Sequence, residues 1–252
     1  MVTVWRLQSN MFIASQQSGF TGMSCFLCEW DSRARKEHWE MKQWLCRNMY
    51  TPGSKNIKYH PLVDPKKVLL PPLHIKLGLM KQFVKALTKE SECFKYLCLK
   101  FPSISHEKIT AGIFVGPQIR LLMMDKEFEN TMNECEKQAW NGFKNVTFNF
   151  LGNIKDPNYE QIVEDMLHSF KNLGCNMSVK VHFLHSHLEY FPENLGSLSE
   201  EQGERFHQDI KEMEKRCHGK LTKNMMADFC WMLKRDCSTS YTRQSKRQKF
   251  NP

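Results

Sequence analysis

The chain has 252 residues with a formal net charge of +9, and 41% of its residues are apolar. This apolar share can fill a core and excludes a wholly disordered chain, while no apolar run approaches the roughly 20 residues that span a bilayer. The first residues lack the basic-then-apolar order of a signal peptide, so we expect a chain that is not secreted, with its ten cysteines free or bound to metal.

Residues 1–70 form the predicted front domain, which is irregular in pattern. We expect a short strand at residues 2–7 and a second element at residues 12–17. The motif Cys25-Phe26-Leu27-Cys28 follows, and a turn at this spacing directs two thiolates inward, which predicts half of a tetrahedral zinc site. The front is therefore predicted to be a small, partly stranded zinc knuckle.

Residues 71–236 form the predicted helical body. Apolar side chains four residues apart predict a first helix from about residue 73, Ser91 is placed to cap a shorter second helix ending at Phe101, and Pro117 fits the first position of another. An apolar stripe over residues 128–150 predicts one long helix. The helical apolar residues are expected to form the core.

The second half of the body continues this pattern. We expect a helix through Ile162 and Phe170 that ends at Gly174, and another that starts at Ser178 and stops before Pro192. A capping box at residues 199–202 predicts a helix towards residue 219, and residues 225–233 complete the series.

Residues 237–252 form the predicted disordered basic tail. Four cations and no carboxylate follow Asp236, including Lys246 and Arg247, which suits a nuclear-import signal, a phosphate-binding arm or a solubilising end. Together with the net charge, this tail favours an anionic partner, either nucleic acid or an acidic protein surface. The expected location is nuclear, or otherwise cytoplasmic.

Two candidates can complete the zinc site. The local candidate adds His38 and Cys46 to the cysteine pair. The remote candidate uses the run His182-Phe183-Leu184-His185-Ser186-His187. On a continuous helix His182 and His185 lie about 60° apart, whereas His182 and His187 lie about 140° apart, so ideal helical geometry favours the first two unless the helix ends early.

Carboxylates are concentrated at the start of the helix predicted at residues 199–219, at Glu200, Glu201 and Glu204. Negative charge is favoured at any helix N-terminus, and this is the ordinary interpretation. A carboxylate at a helix start is also one way in which nucleases hold one of two Mg²⁺ ions, but that chemistry needs further carboxylates from distant parts of the chain.

Taken in order, the Cys pair, the His cluster and the acidic helix start resemble the catalytic core of DDE-type transposases of the Transib and V(D)J-recombinase lineage, over residues 4–236. In that family a helical insertion interrupts an RNase H-like sheet, and a structural Zn²⁺ joins a CxxC to two histidines near the far end of the insertion. The resemblance implies the metal ligands Cys25, Cys28, His182 and His187. It also implies a vestigial catalytic Glu201 and a DNA-binding surface of basic residues, namely Arg205, Lys211, Lys215, Arg216, Lys246 and Arg247.

The chain departs from the family where the catalytic aspartates are expected. No Asp or Glu occurs before Glu29, Arg6 or a neighbour occupies the position of the second aspartate, and the first would precede Met1. Mg²⁺ is therefore expected only if another chain supplies the missing carboxylates.

The sequence thus predicts a mostly α chain with the helical insertion and C-terminal helices of an incomplete RNase H-like fold. Its expected origin is a truncated open reading frame of a transposable element. We expect a catalytically inactive, transposase-like protein that binds DNA or assembles with itself or with a complete transposase-like chain. The alternative is a zinc-finger adaptor with a helical protein-interaction domain.

Overall fold

The computed structural model describes residues 22–61, 64–68 and 70–196, together with Ala227, Asp228 and Trp231. The three described ranges belong to one compact unit, residues 1–200. The elements expected at residues 2–7, 12–17 and 199–219 and the tail at 237–252 lie outside the described residues. Of the helix expected at residues 225–233, the three described residues are all helical.

The described part of the chain is mostly helical, which confirms the predicted class. Within residues 64–196, eight α-helices are formed, namely α1 Pro72–Ala86, α2 Glu92–Lys100, α3 His106–Thr110, α4 Gly116–Met123, α5 Lys126–Asn130, α6 Glu134–Asn149, α7 Tyr159–Leu173 and α8 Val179–Ser186, together with short 3-10 helices at Pro65–Lys67 and Leu188–Tyr190. Among the described residues of the front, no β-strand is formed. Cys28 and Cys46 pair there in an isolated antiparallel β-bridge.

Local signals set several helix ends. The side chain of Ser91 accepts a hydrogen bond from the backbone N of Phe94 and starts α2. Gly174 ends α7 in the left-handed conformation, with φ of +83°, which a residue with a Cβ adopts at a cost. Pro117 is the second residue of α4, not the first, because Gly116 opens that helix.

The single helix predicted over residues 128–150 is wrong, because the chain forms α5 and α6 there. Asn133 separates the two: its side chain accepts from the backbone N of Glu136 at 2.9 Å, and the Glu136 carboxylate accepts from the backbone N of Asn133 at 3.0 Å. This reciprocal capping box satisfies two backbone donors that a helix start leaves without partners, so a new helix begins at this point.

The core forms around α1 and a hairpin of α6 and α7. Helices α6 and α7 approach each other closely at Gly142. A Cβ built on this residue would lie 2.9 Å from the Cα of Met166, so a residue with a side chain would push the two helices apart. Helix α1 buries Ile75, Leu79 and Phe83 and packs against α6 and α8. No helix in the described ranges has the length and apolar character needed to cross a membrane.

Candidate metal centre

The Cys25–Cys28 turn is held by a short backbone ladder. The backbone N of Glu29 donates to the carbonyl of Leu45 at 2.8 Å, and that of Arg47 donates to the carbonyl of Leu27 at 2.9 Å, on either side of the Cys28–Cys46 bridge. Inside the turn, the backbone N of Leu27 donates to the Cys25 sulfur at 3.4 Å. The turn therefore presents both sulfurs on its inner side.

Arg47 supports this turn from beneath. Its side chain is only 4% exposed, and its Nε donates to the carbonyls of both Cys25 (2.8 Å) and Cys28 (3.0 Å). A terminal nitrogen donates to the carbonyl of Met23 at 2.8 Å. A buried guanidinium needs such partners, and here they fix the backbone of both cysteines.

The two histidines come from α8 and its end. Ser178 caps the start of the helix, His182 lies in the interior, and the helix ends at Ser186. His187 is the C-cap residue with φ of −139° and ψ of 40°, so its side chain no longer follows the helical progression. His185 instead faces the ring of Trp39 at 6.3 Å.

The four side chains meet in one cluster. The Cys28 sulfur lies 3.2 Å from Nε2 of His182 and 3.3 Å from Nε2 of His187, and the Cys25 sulfur lies 3.6 Å from the latter. All four ligand atoms lie within 4.8 Å of one another, with His187 half-buried and the others buried. Within the described ranges this is the one group of three or more Cys, His, Asp or Glu residues that could hold a metal ion.

The cluster fits a tetrahedral ion. Zinc bonds of about 2.3 Å to sulfur and about 2.0–2.1 Å to nitrogen, at a tetrahedral angle, separate S and N by about 3.5 Å. The observed separations of 3.2–3.6 Å bracket that value. Two thiolates with two imidazoles are a donor set that suits Zn²⁺, so these residues could hold a metal such as zinc.

Ionisation of the cluster favours a cation. Burial, with the nearby charges of other histidines, lowers the pKa of His182 to about 2 and keeps the ring neutral, the form that binds metal. Burial opposes ionisation of Cys25, but a hydrogen bond from Cys28, backbone donors and Arg47 outweigh it and lower the Cys25 pKa. The bond to Cys25, followed by burial, raises the pKa of Cys28. Because both thiols must be deprotonated to bind a metal, an ion would displace the proton that Cys28 holds.

Aromatic rings enclose His182. The indole of Trp30 stacks on the imidazole with centroids 4.8 Å apart and planes 14° apart, and Trp44 meets it edge-on at 6.4 Å. Trp30 also packs on His38, whose Nε2 donates to the carbonyl of Asp31 at 2.8 Å.

The described residues therefore assemble Cys25 and Cys28 with the remote histidines. His38 is engaged in the contacts just given, Cys46 is exposed, and neither belongs to the four-residue cluster. The other predicted site residues, namely Glu201, Arg205, Lys211, Lys215, Arg216, Lys246 and Arg247, lie outside the described residues.

Sequence reasoning did not identify Arg47, Trp30 or Trp44 as parts of this centre. The stretch between Cys28 and Cys46 contains Trp30, Trp39 and Trp44. No signal in the sequence pairs these rings with His182, which lies about 150 positions later. Arg47 gave no signal, because its role depends on carbonyl groups that the fold brings to it.

Two family models match separate segments of the chain. Residues 5–63 match a domain of unknown function (DUF8703), and residues 72–152 match another domain of unknown function (DUF8704). The first segment includes both cysteines of the cluster, whereas both histidines follow the end of the second. No curated protein and no solved structure matches the chain.

Proposed function

We propose that the chain is a transposable-element-derived, transposase-like protein whose helical body is braced by a structural Zn²⁺. One observation carries the proposal: a CxxC turn meets two histidines that lie 154–162 positions further along the chain. A local zinc finger would stabilise only a short segment. This set of ligands instead connects the front to α8, and helices α1–α7 lie between the two halves of the site along the chain.

The arrangement is similar to the zinc brace of the DDE-type family, in which the metal joins segments on either side of a helical insertion. Under the proposal, α1–α8 correspond to that insertion, and the segments on either side of it correspond to parts of an RNase H-like fold. Bound Zn²⁺ would be held by Cys25, Cys28, His182 and His187 and would supply structural cross-linking, since four protein ligands leave no position open for water or substrate.

The proposed role is DNA binding without strand transfer. Two-metal phosphoryl chemistry needs several converging carboxylates, and residues 1–28 contain none, with Arg6 near the position of the family's second aspartate. A net charge of +9 supports attraction to a polyanion in the nucleus. Mg²⁺ would bind only where a complete transposase-like chain supplied the further carboxylates that form a metal site together with Glu201.

Zinc content measured on four purified chains tests the brace. Wild type and His38→Ala should each retain one zinc per chain, whereas Cys25→Ser and His187→Ala should lose it. The matched control is His38→Ala, because His38 is buried and next to Trp30 but is not in the cluster. Zinc loss on His38→Ala, with retention on His187→Ala, would contradict the brace.

The functional part is tested on the zinc-loaded wild type. We expect binding to duplex DNA and no strand transfer with Mg²⁺ or Mn²⁺. Strand transfer by this chain alone would refute the proposed inactivity.

A protein-interaction adaptor is the second candidate. It is favoured by exposed apolar side chains in α4 and on either side of it, namely Ile113, Val115, Leu121 and Met124. A zinc-loaded chain that fails to bind DNA even at low salt would support this adaptor role over the transposase-like one.

A further inference from the structure

Charge is segregated among the helices of the body. Helix α1 packs against both α4 and α8, and these three helices contain no carboxylate while carrying the cations Lys76, Lys81, Lys85, Arg120 and Lys180. The hairpin of α6 and α7 instead carries five carboxylates, at Glu134, Glu136, Glu160, Glu164 and Asp165, against three lysines, at Lys137, Lys144 and Lys171. The body therefore has a basic helix group and a more acidic one.

Lys180 is held in a defined position on the basic group. A Cβ built on Gly78 of α1 would lie 2.2 Å from Cδ of Lys180, so the lysine stem crosses α1 where a side chain is missing. Burial lowers the pKa of Lys180 to about 8, and the charge of Lys81, one turn further along α1, adds to this shift. This close contact at Gly78 fixes the path of the aliphatic part of the Lys180 side chain, whereas a lysine that extends freely into water can adopt many conformations.

Three lysines of the basic group form no ion pair within the described ranges. Six ion pairs are formed there, and none involves Lys81, Lys85 or Lys180. Two neighbouring ammonium groups with no carboxylate between them repel each other, and an anion that contacts both relieves the repulsion. Lysine binds phosphate as a point charge, and phosphodiesters supply a row of such anions.

We propose that the α1–α8 face, centred on Lys81 and Lys180, contacts the phosphate backbone of nucleic acid. The inference rests on the DNA binding proposed above and assigns it to described residues of the helical body. The carboxylates of α6 and α7 disfavour docking through the hairpin. Because phosphate contacts carry no base information, this face sets affinity and orientation without selecting a sequence.

The test is the salt dependence of duplex binding by the full zinc-loaded chain, measured by fluorescence anisotropy. We expect Lys81→Gln and Lys180→Gln each to reduce the slope of log K against log salt by about 0.9, the contribution of one phosphate contact. Weakening should be equal for unrelated DNA sequences. The control is Lys95→Gln, since Lys95 is exposed on α2 and paired with Glu92 at 2.8 Å, and its slope should match wild type. Zinc content and circular dichroism confirm that each variant is folded.

The possible failures are distinguishable. If wild type binds DNA and both variants retain its slope, this face is not the interface, although the proposed function stands. If wild type does not bind DNA even at low salt, the DNA-binding role fails and the inference fails with it. If the variants lose binding to polyglutamate but not to DNA, the face recognises an acidic protein surface and the inference is overturned.

Discussion

Replacing Trp30 by leucine should weaken metal binding, although Trp30 offers no ligand atom. A metal-binding imidazole usually donates its second N–H to a carboxylate or carbonyl, which fixes the ring. In the described structure Nδ1 of His182 is buried without such a partner. Trp30, whose side chain is 1% exposed, stacks on this ring at 4.8 Å, nearer than Trp44 at 6.4 Å, and is therefore the aromatic contact best placed to orient it towards Cys28.

The expected loss of zinc affinity follows from the stacking of Trp30 on His182. An aromatic pair contributes about 0.5–1.5 kcal/mol beyond its area burial. At about 1.4 kcal/mol for each factor of ten, its loss weakens the zinc Kd about 2- to 12-fold. Trp30→Phe keeps a ring in place and should retain most of the affinity.

The assay is competition with a chromophoric chelator, with urea unfolding measured in parallel. Trp140→Leu is the matched control, because Trp140 is also fully buried but makes tilted and edge-on contacts with Phe83, Phe128 and Phe143, away from the cluster. It should lose comparable stability through cavity formation and keep the wild-type Kd. An unchanged Kd for Trp30→Leu, with stability falling as in Trp140→Leu, would refute a positioning role.

Other expectations concern protons, backbone support and packing. The pKa of His182 is about 2 when folded and near 6.5 when unfolded, so the unfolded chain takes up a proton that the folded chain refuses. Metal-free stability should therefore fall below about pH 6.5, by up to roughly 1.4 kcal/mol per pH unit in urea titrations, and less steeply in His182→Phe. Zinc binding at pH 7 should release at least the proton of Cys28, as measured by calorimetry in buffers of different ionisation enthalpy; no release would contradict the raised pKa of Cys28. Arg47→Gln should cost at least about 2 kcal/mol and weaken zinc binding, since it removes charged donors from three carbonyls; equal zinc affinity would show that the turn holds itself. Gly142→Ala should cost about 1–3 kcal/mol in thermal unfolding, because its Cβ would press on the Met166 backbone, and a neutral result would mean that the helices can separate freely.

Helices with local end signals could be predicted from the sequence, and their interruption was harder to see. Ser91, Gly174 and Ser178 act through hydrogen bonds or backbone preferences of their own neighbourhood, and each marks an end as expected. The apolar stripe gave no sign of the break at Asn133, since it continues from Phe128 in α5 to Ala139 in α6, both of which are buried. Burial of a continuous stripe does not require a continuous helix.

The choice of histidines shows where periodicity fails. Ideal helical geometry pairs His182 with His185, but it assumes that the helix continues to His187. The structure ends α8 at Ser186, and the different backbone angles of His187 bring its ring to the cysteines. The family resemblance pointed to His187 through spacing alone. The local alternative with His38 could not be rejected from sequence, because the carbonyl of Asp31 that engages it is recognised only in three dimensions.

The separation of the ligands along the chain also has a consequence for biosynthesis. The Cys25 sulfur and the His187 ring nitrogen, which meet in the cluster, belong to residues that are 162 positions apart. At about 5–20 residues per second, a ribosome exposes the cysteine pair roughly 8–30 s before the last histidine. Throughout that interval the nascent turn can offer an ion only half of its ligands. The site is therefore completed only after residue 187 has been translated, and a nascent chain released before that residue cannot close it.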